Sequence, residues 1–209
     1  MTLTERDQEL LHALVCKVRL FALRQAAEHW WLGDIANARR GLKRLNSVGL
    51  VERIAVRSRS LPRIDQPVSV WQPGGLEPDH SAVANSLQHR WKGRAVREAS
   101  ACVATDHAAK LFGGRRTSGL KNPLQATHDL GVAAVWLRLH ANAPDWADAW
   151  QGEDLMAHTR IGQKLPDSFI QDGDGQTVAV IEFGGSYDAH RVADFHRDCN
   201  DRGLPYQLW

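Results

Sequence analysis

Along the first fifty residues the apolar positions recur at helical spacing. Thr4 followed by Asp7 has the pattern of a capping box, with an acid in place of the usual Glu. Leu11, Leu14, Val15 and Val18 then form the stripe of a first amphipathic helix. Leu20 to Trp31 reads as a second, shorter helix. Gly33 breaks the chain, and Asp34 caps a third helix in which Ile35, Ala38, Leu42 and Leu45 make the apolar stripe before Gly49 stops it. The period then changes: Leu50 to Val56 alternates as a strand, a basic turn follows, and Val68 to Trp71 reads as the returning strand.

The breakers crowded into Gln72-Pro73-Gly74-Gly75-Leu76-Glu77-Pro78 place a domain end near residue 76. Residues 77–121 read as a basic connector, helical over Ser81 to Cys102, with Gly113 to Thr117 as an exposed basic loop. In residues 122–209, Thr127 to His140 has the length and periodicity of a buried helix, with Leu130, Ala134 and Leu137 on one side; residues 141–150 break it. Leu165 to Gln171 and Thr177 to Phe183 predict two strands joined by the turn Asp172-Gly173-Asp174-Gly175, the second apolar enough to be central. Ser186 is positioned to cap a helix carrying Val192, Phe195 and Cys199, Gly203 ends it, and Leu204 to Trp209 predicts a last strand. The expected fold class is α+β: an N-terminal winged helix-turn-helix (1–76), the connector (77–121) and a small α/β domain (122–209).

Composition excludes several classes. The 209 residues are 43% hydrophobic and 24% charged, which rules out disorder and collagen-like repeats. No apolar run reaches a membrane span, and the opening MTLTERDQEL is polar where a signal peptide turns apolar, so the expectation is a cytoplasmic protein without a membrane partner. Cys16, Cys102 and Cys199 are odd in number and widely spaced, which excludes a disulfide framework and a cysteine zinc finger. The net charge of +2 conceals a partition: +5 over residues 1–75, +4 over 76–121 and −7 over 122–209.

The basic front has a specific distribution. Asn37, Arg39, Arg40, Lys43 and Arg44 fall outward of or beside the apolar stripe of the third helix, and Arg57, Arg59 and Arg63 follow in the wing. A winged helix sends its third helix into the major groove and lays its wing on the phosphates, so these residues are the candidate contacts to double-stranded DNA. Winged helices also serve as protein-protein modules; the bases on the third helix decide the preference.

In the acidic back, Asp167 after Pro166 and Glu182 at the end of Val178-Ala179-Val180-Ile181 fall where adjacent strands present them at one sheet edge. Paired carboxylates so placed can hold Mg²⁺ beside a phosphate. Here the chain resembles the PD-(D/E)xK restriction-endonuclease-like superfamily, matching its first two elements. The third departs, because Gly184 stands where that superfamily has Lys. Taken whole, the order of Leu3-Thr4-Glu5-Arg6-Asp7, Leu42 to Arg53, His128, Trp150 with Glu153, Pro166-Asp167 and Glu182 is similar to the plasmid replication-relaxation family and the related relaxases of mobilisable plasmids. The resemblance spans nearly the full length and implies a winged helix joined to a nuclease-like fold.

It also implies roles. Asp167 and Glu182 are the candidate catalytic and Mg²⁺-binding acids, Glu153 or His128 would complete the site, and Lys164 or Arg191, with His190 a further candidate, would stand in for the missing lysine. His190, Asp194, His196 and Cys199 invite a zinc reading on one helix, but Phe195 and Cys199 fit the apolar face better. The tryptophans read mainly as core. Three functions follow, in order of preference: a DNA-binding protein of plasmid or mobile-element type with a degenerate nuclease-like domain, an active Mg²⁺-dependent nicking or cleaving endonuclease, and a transcriptional repressor whose C-terminal domain forms a homodimer.

Overall fold

The computed structural model describes residues 2–114, 125–159 and 164–209. In chain order the elements are α1 (Glu5–His12), a π-helical turn (Ala13–Lys17), β1 (Phe21–Ala22), α2 (Leu23–Trp30), α3 (Ile35–Ser47), β2 (Val51–Arg59) and β3 (Ser69–Trp71). There follow α4 (His80–His89), β4 (Val96–Ala104), α5 (Asp106–Phe112), α6 (Ala126–Asn142), α7 (Pro144–Ala149), β5 (Trp150–Gly152) and α8 (Glu153–Met156). A 3₁₀ turn (Ala157–Thr159), β6 (Ser168–Gln171), β7 (Thr177–Glu182), α9 (Ala189–Asp201) and β8 (Tyr206–Leu208) complete the α+β fold. Among the described residues no helix is long and apolar enough to cross a membrane.

Two compact units divide the chain, and neither is contiguous in sequence. The first is Met1–Ser60 with Ala95–Leu137, and the second is Leu61–Arg94 with Arg138–Trp209. These units do not follow breaks at 76/77 and 121/122. The reason is strand pairing. β2 pairs antiparallel over its whole length with β4, from Val51 opposite Ala104 to Arg59 opposite Val96. The expected return strand, Ser69–Trp71, instead pairs antiparallel with β8 of the second unit. The helix expected over Ser81 to Cys102 therefore ends at His89, Gly93 turns the chain at φ +71°, and the rest becomes β4.

In the first unit β4 is central, flanked by β1 and β2 in a three-stranded antiparallel sheet. Thr4 caps α1 through its hydroxyl, and Asp7 returns the bond to the Thr4 amide, as the capping-box pattern predicts. The second helix begins at Leu23, after Phe21 and Ala22 have joined the sheet, and Gln25 takes the hydrogen bond of the Ala22 amide. Asp34 caps α3 by accepting from the Asn37 amide. Leu10, Leu11, Leu14, Phe21, Ala38, Leu42, Leu45 and Val51 are buried, and Phe21 meets Trp30 edge-to-face at 5.0 Å. Gly41 has a steric purpose, because a Cβ there would lie 2.6 Å from a ring carbon of Trp31.

The second unit holds a five-stranded sheet in the order β3-β8-β7-β6-β5. β7 and β8 run parallel and the other neighbours antiparallel, so α9 makes the crossover between β7 and β8. The 172–175 turn joins β6 to β7 with Gly175 at φ +76°. Asp188, rather than Ser186, caps α9. α4 packs on α9, and Trp71, Val83, Leu87, Phe169, Val180, Phe195, Tyr206 and Leu208 form the core between helices and sheet. Of the expected basic loop, residues 115–117 lie outside the described residues.

Candidate nucleic-acid interface and buried acid pair

α3 presents its polar positions as its stripe requires: Ala38, Leu42 and Leu45 point inward, and Asn37, Arg39, Arg40 and Lys43 are exposed. The Asn37 amide donates to the cap Asp34, and the Arg40 guanidinium donates to Asn37 Oδ1, so the first turn is held in one arrangement. Arg44 is used differently. Its guanidinium donates to both carboxylate oxygens of Asp7, at 2.7 and 2.6 Å, and Asp7 is fully buried. Burial pushes the Asp7 carboxyl upward, but the Thr4 hydroxyl and amide and the Arg44 charge outweigh it and hold the carboxyl below its ordinary value. Arg44 thus joins α3 to the start of α1.

On β2, Arg57 and Arg59 are exposed, facing Glu98 and Val96 across the ladder, and exposed Arg97 on β4 stands opposite Ser58. Arg97 adds a base to the β2–β4 pair that a helical reading of its segment hides. Arg63 belongs to the second unit, where it pairs with Asp65 at 2.6 Å. A groove of about 620 Å³ opens in the first unit between Thr4 and Arg6 at one side and Asn37, Arg40 and Arg44 at the other. Arg6 stacks over the Trp31 ring at 4.7 Å, and Leu32, 99% exposed with φ +52°, stands at its rim.

In the second unit Asp167 and Glu182 do meet, on adjacent antiparallel strands in which Ser168 faces Ile181. Both are buried. Each acid is bonded to the other's strand: the Asp167 amide donates to Glu182 Oε2 at 3.1 Å, and the Phe183 amide donates to Asp167 Oδ2 at 2.7 Å. The Tyr187 hydroxyl donates to Glu182 Oε1. At least three of the four carboxylate oxygens therefore accept hydrogen bonds from the chain itself. Burial, then the charge of Glu182, drives the Tyr187 phenol far above its ordinary value, so it remains a donor. Sequence reasoning passed over Tyr187, whose only signal was its place one tight turn beyond Gly184, where its amide bonds the Gly184 carbonyl at 2.8 Å.

The remaining candidates divide. Glu153 comes close through its backbone, donating its amide to the Asp167 carbonyl at 3.1 Å. Arg191 stacks on the Tyr187 ring at 4.7 Å, next to the acid pair, whereas Lys164 places its ammonium 5.8 Å from the centre of the Phe195 ring. His190 lies in the first turn of α9. His128 belongs to the first unit, 3.6 Å from Asp129. At Gly184 a Cβ would lie 2.8 Å from Leu87 Cδ1 and 3.0 Å from Leu208 Cδ1, and both leucines are fully buried. A lysine at this position meets packed core. The acid pair is thus buried and hydrogen-bonded by its own chain, and position 184 provides no cation beside it.

No family model matches the chain, and it matches neither a curated protein nor a solved structure.

Proposed function

We propose that the chain is a duplex-DNA-binding protein whose first unit is a winged helix and whose second unit is a nuclease-like domain that no longer cleaves. The observation that carries this is the joint exposure of Asn37, Arg39, Arg40 and Lys43 on α3 and of Arg57, Arg59 and Arg97 on the antiparallel pair β2–β4. The elements of the first unit support the winged helix: three helices, a short strand before the second, and after the third the long antiparallel pair β2–β4, whose strands are separated in the chain by residues 60–95. The assignment to plasmid or mobile-element replication, relaxation or transfer rests on the resemblance in the order of short motifs. The internal bonding of Asp167 and Glu182 favours binding over Mg²⁺-dependent cleavage, the second reading.

The test uses the full chain and a duplex carrying a fluorescent label, with anisotropy read across roughly 50–200 mM salt. Each phosphate contact contributes about 0.9 to the slope of log K against log salt. Arg39→Ala, Lys43→Ala and Arg57→Ala are each expected to lower the slope by about that amount without loss of folded signal. Slopes and affinities equal to wild type in all three would refute the interface. Supercoiled DNA with Mg²⁺, Mn²⁺ or a chelator is expected to stay unnicked. Nicking that disappears in Asp167→Ala and Glu182→Ala would replace the binding reading with the enzymatic one.

A further inference from the structure

Apart from the acid pair, the second unit gathers three metal-ligand side chains from two distant segments of the chain. Glu77 comes from the breaker-rich loop after β3, His80 from the first turn of α4 and His196 from α9, and one donor atom of each lies within 4.8 Å of the other two. His80 Nε2 stands 3.5 Å from Glu77 Oε1. Two ligands held at about 2.0–2.1 Å by a tetrahedral ion are separated by about 3.4 Å, so the spacing suits one shared ion. His80 Nε2 is itself buried and has no hydrogen-bond partner among the described residues, a polar atom aimed into the cluster with nothing bonded to it.

His196 is prepared in the manner of a ligand. Its Nδ1 lies 3.2 Å from the Tyr206 hydroxyl, and its ring is wedged edge-on against Trp71 at 5.0 Å. With Nδ1–H donated to Tyr206, Nε2 keeps its lone pair, the arrangement by which an outer partner fixes a metal-bound imidazole. Glu77 is exposed, so the cluster opens to solvent on one side. We propose that Glu77, His80 and His196 bind one Zn²⁺ ion, with water or an external ligand in the fourth position. Two imidazoles and one carboxylate with an open position form a borderline-soft donor set that prefers Zn²⁺ or its transition-metal neighbours to Mg²⁺. The ion would tie the loop after β3 and the start of α4 to α9.

The experiment titrates Zn²⁺ into the metal-free full chain against a chromophoric chelator, with parallel spectra of the histidine ring nitrogens. One equivalent is expected to bind, moving the Nε2 resonances of His80 and His196, while Mg²⁺ moves neither. Glu77→Gln alters an exposed side chain and leaves the fold intact; it and His80→Gln are each expected to weaken Zn²⁺ at least tenfold. At equal Zn²⁺, the unfolding midpoint is expected to rise more for the wild type than for Glu77→Gln. Absence of one-to-one binding, unmoved His80 and His196 resonances, or affinity unchanged in both variants would overturn the site.

Discussion

Replacing Arg44 by alanine separates a structural arginine from the bases around it. The substitution removes two charge-assisted hydrogen bonds, of 2.7 and 2.6 Å, from a carboxylate with no solvent exposure. Removing one partner of a fully buried ion pair costs about 3–5 kcal/mol. Two features reduce that here: the Arg44 side chain is 38% exposed, and Asp7 keeps its bonds from the Thr4 amide and hydroxyl at 2.9 and 2.7 Å. The expected loss is about 2 kcal/mol. Native-state hydrogen exchange at the α1 amides reads it directly, because α1 and α3 are the elements uncoupled. The pH dependence has a definite sign. Since the folded Asp7 carboxyl lies below its unfolded value of about 3.9, its contribution is complete above that pH and disappears as pH falls through the folded value. Without Arg44, burial is less opposed, the folded carboxyl rises, and acid destabilisation begins at higher pH. DNA binding should keep its salt slope. Wild-type exchange rates together with a slope reduced by about 0.9 would refute this reasoning and return Arg44 to the DNA contacts.

Three further outcomes are expected. Tyr187→Phe deprives buried Glu182 of its hydroxyl donor and should lower second-unit stability by about 1–3 kcal/mol in urea unfolding, with an unchanged midpoint refuting the bond. Gly184→Lys writes the missing motif lysine into the chain, but its Cβ meets Leu87 and Leu208; it should cost about 1–3 kcal/mol by overpacking and confer no nicking of supercoiled DNA. A chain of residues 1–60 and 95–137 joined by a short turn should fold with a cooperative melt and keep DNA affinity, since the Ser60 amide already bonds the Ala95 carbonyl at 3.4 Å; a non-cooperative melt would show that the first unit depends on the second.

Local signals were legible wherever the physics is local. The cap at Thr4 and Asp7, the stripe of α3 and its cap Asp34, the 172–175 turn and the pairing of strands bearing Asp167 and Glu182 all follow from neighbouring residues. Pairing between distant segments was not legible. Val51 to Arg59 carries no mark that its partner is Val96 to Ala104 rather than Ser69 to Trp71, because the alternation of a strand specifies a face and not a mate. The cluster of Glu77, His80 and His196 was hidden for the same reason: His196 reads on its own helix beside Cys199, and only the packing of α4 on α9 gives it His80. Arg44 and Arg40 look equivalent in sequence, and the difference lies in Asp7, a whole helix away.

The segment between β2 and β4 accounts for both departures from expectation at once. By carrying β3 to the outer edge of β8 it pairs that edge and leaves β3, only three residues long, as the edge strand of the five-stranded sheet. By carrying α4 onto α9 it brings Leu87, with no solvent exposure, to within 2.8 Å of where a side chain at 184 would start. A lysine at 184 and Leu87 on α4 compete for the same space. On the nuclease-like reading, glycine at 184 and the packing of α4 therefore go together, and a lysine written in alone meets a filled core. Room for it requires shortening Leu87 as well, which removes buried methyl groups from the centre of the unit at a cost of about 2–5 kcal/mol. The packing that stabilises the second unit is thereby set against the chemistry that its acid pair suggests.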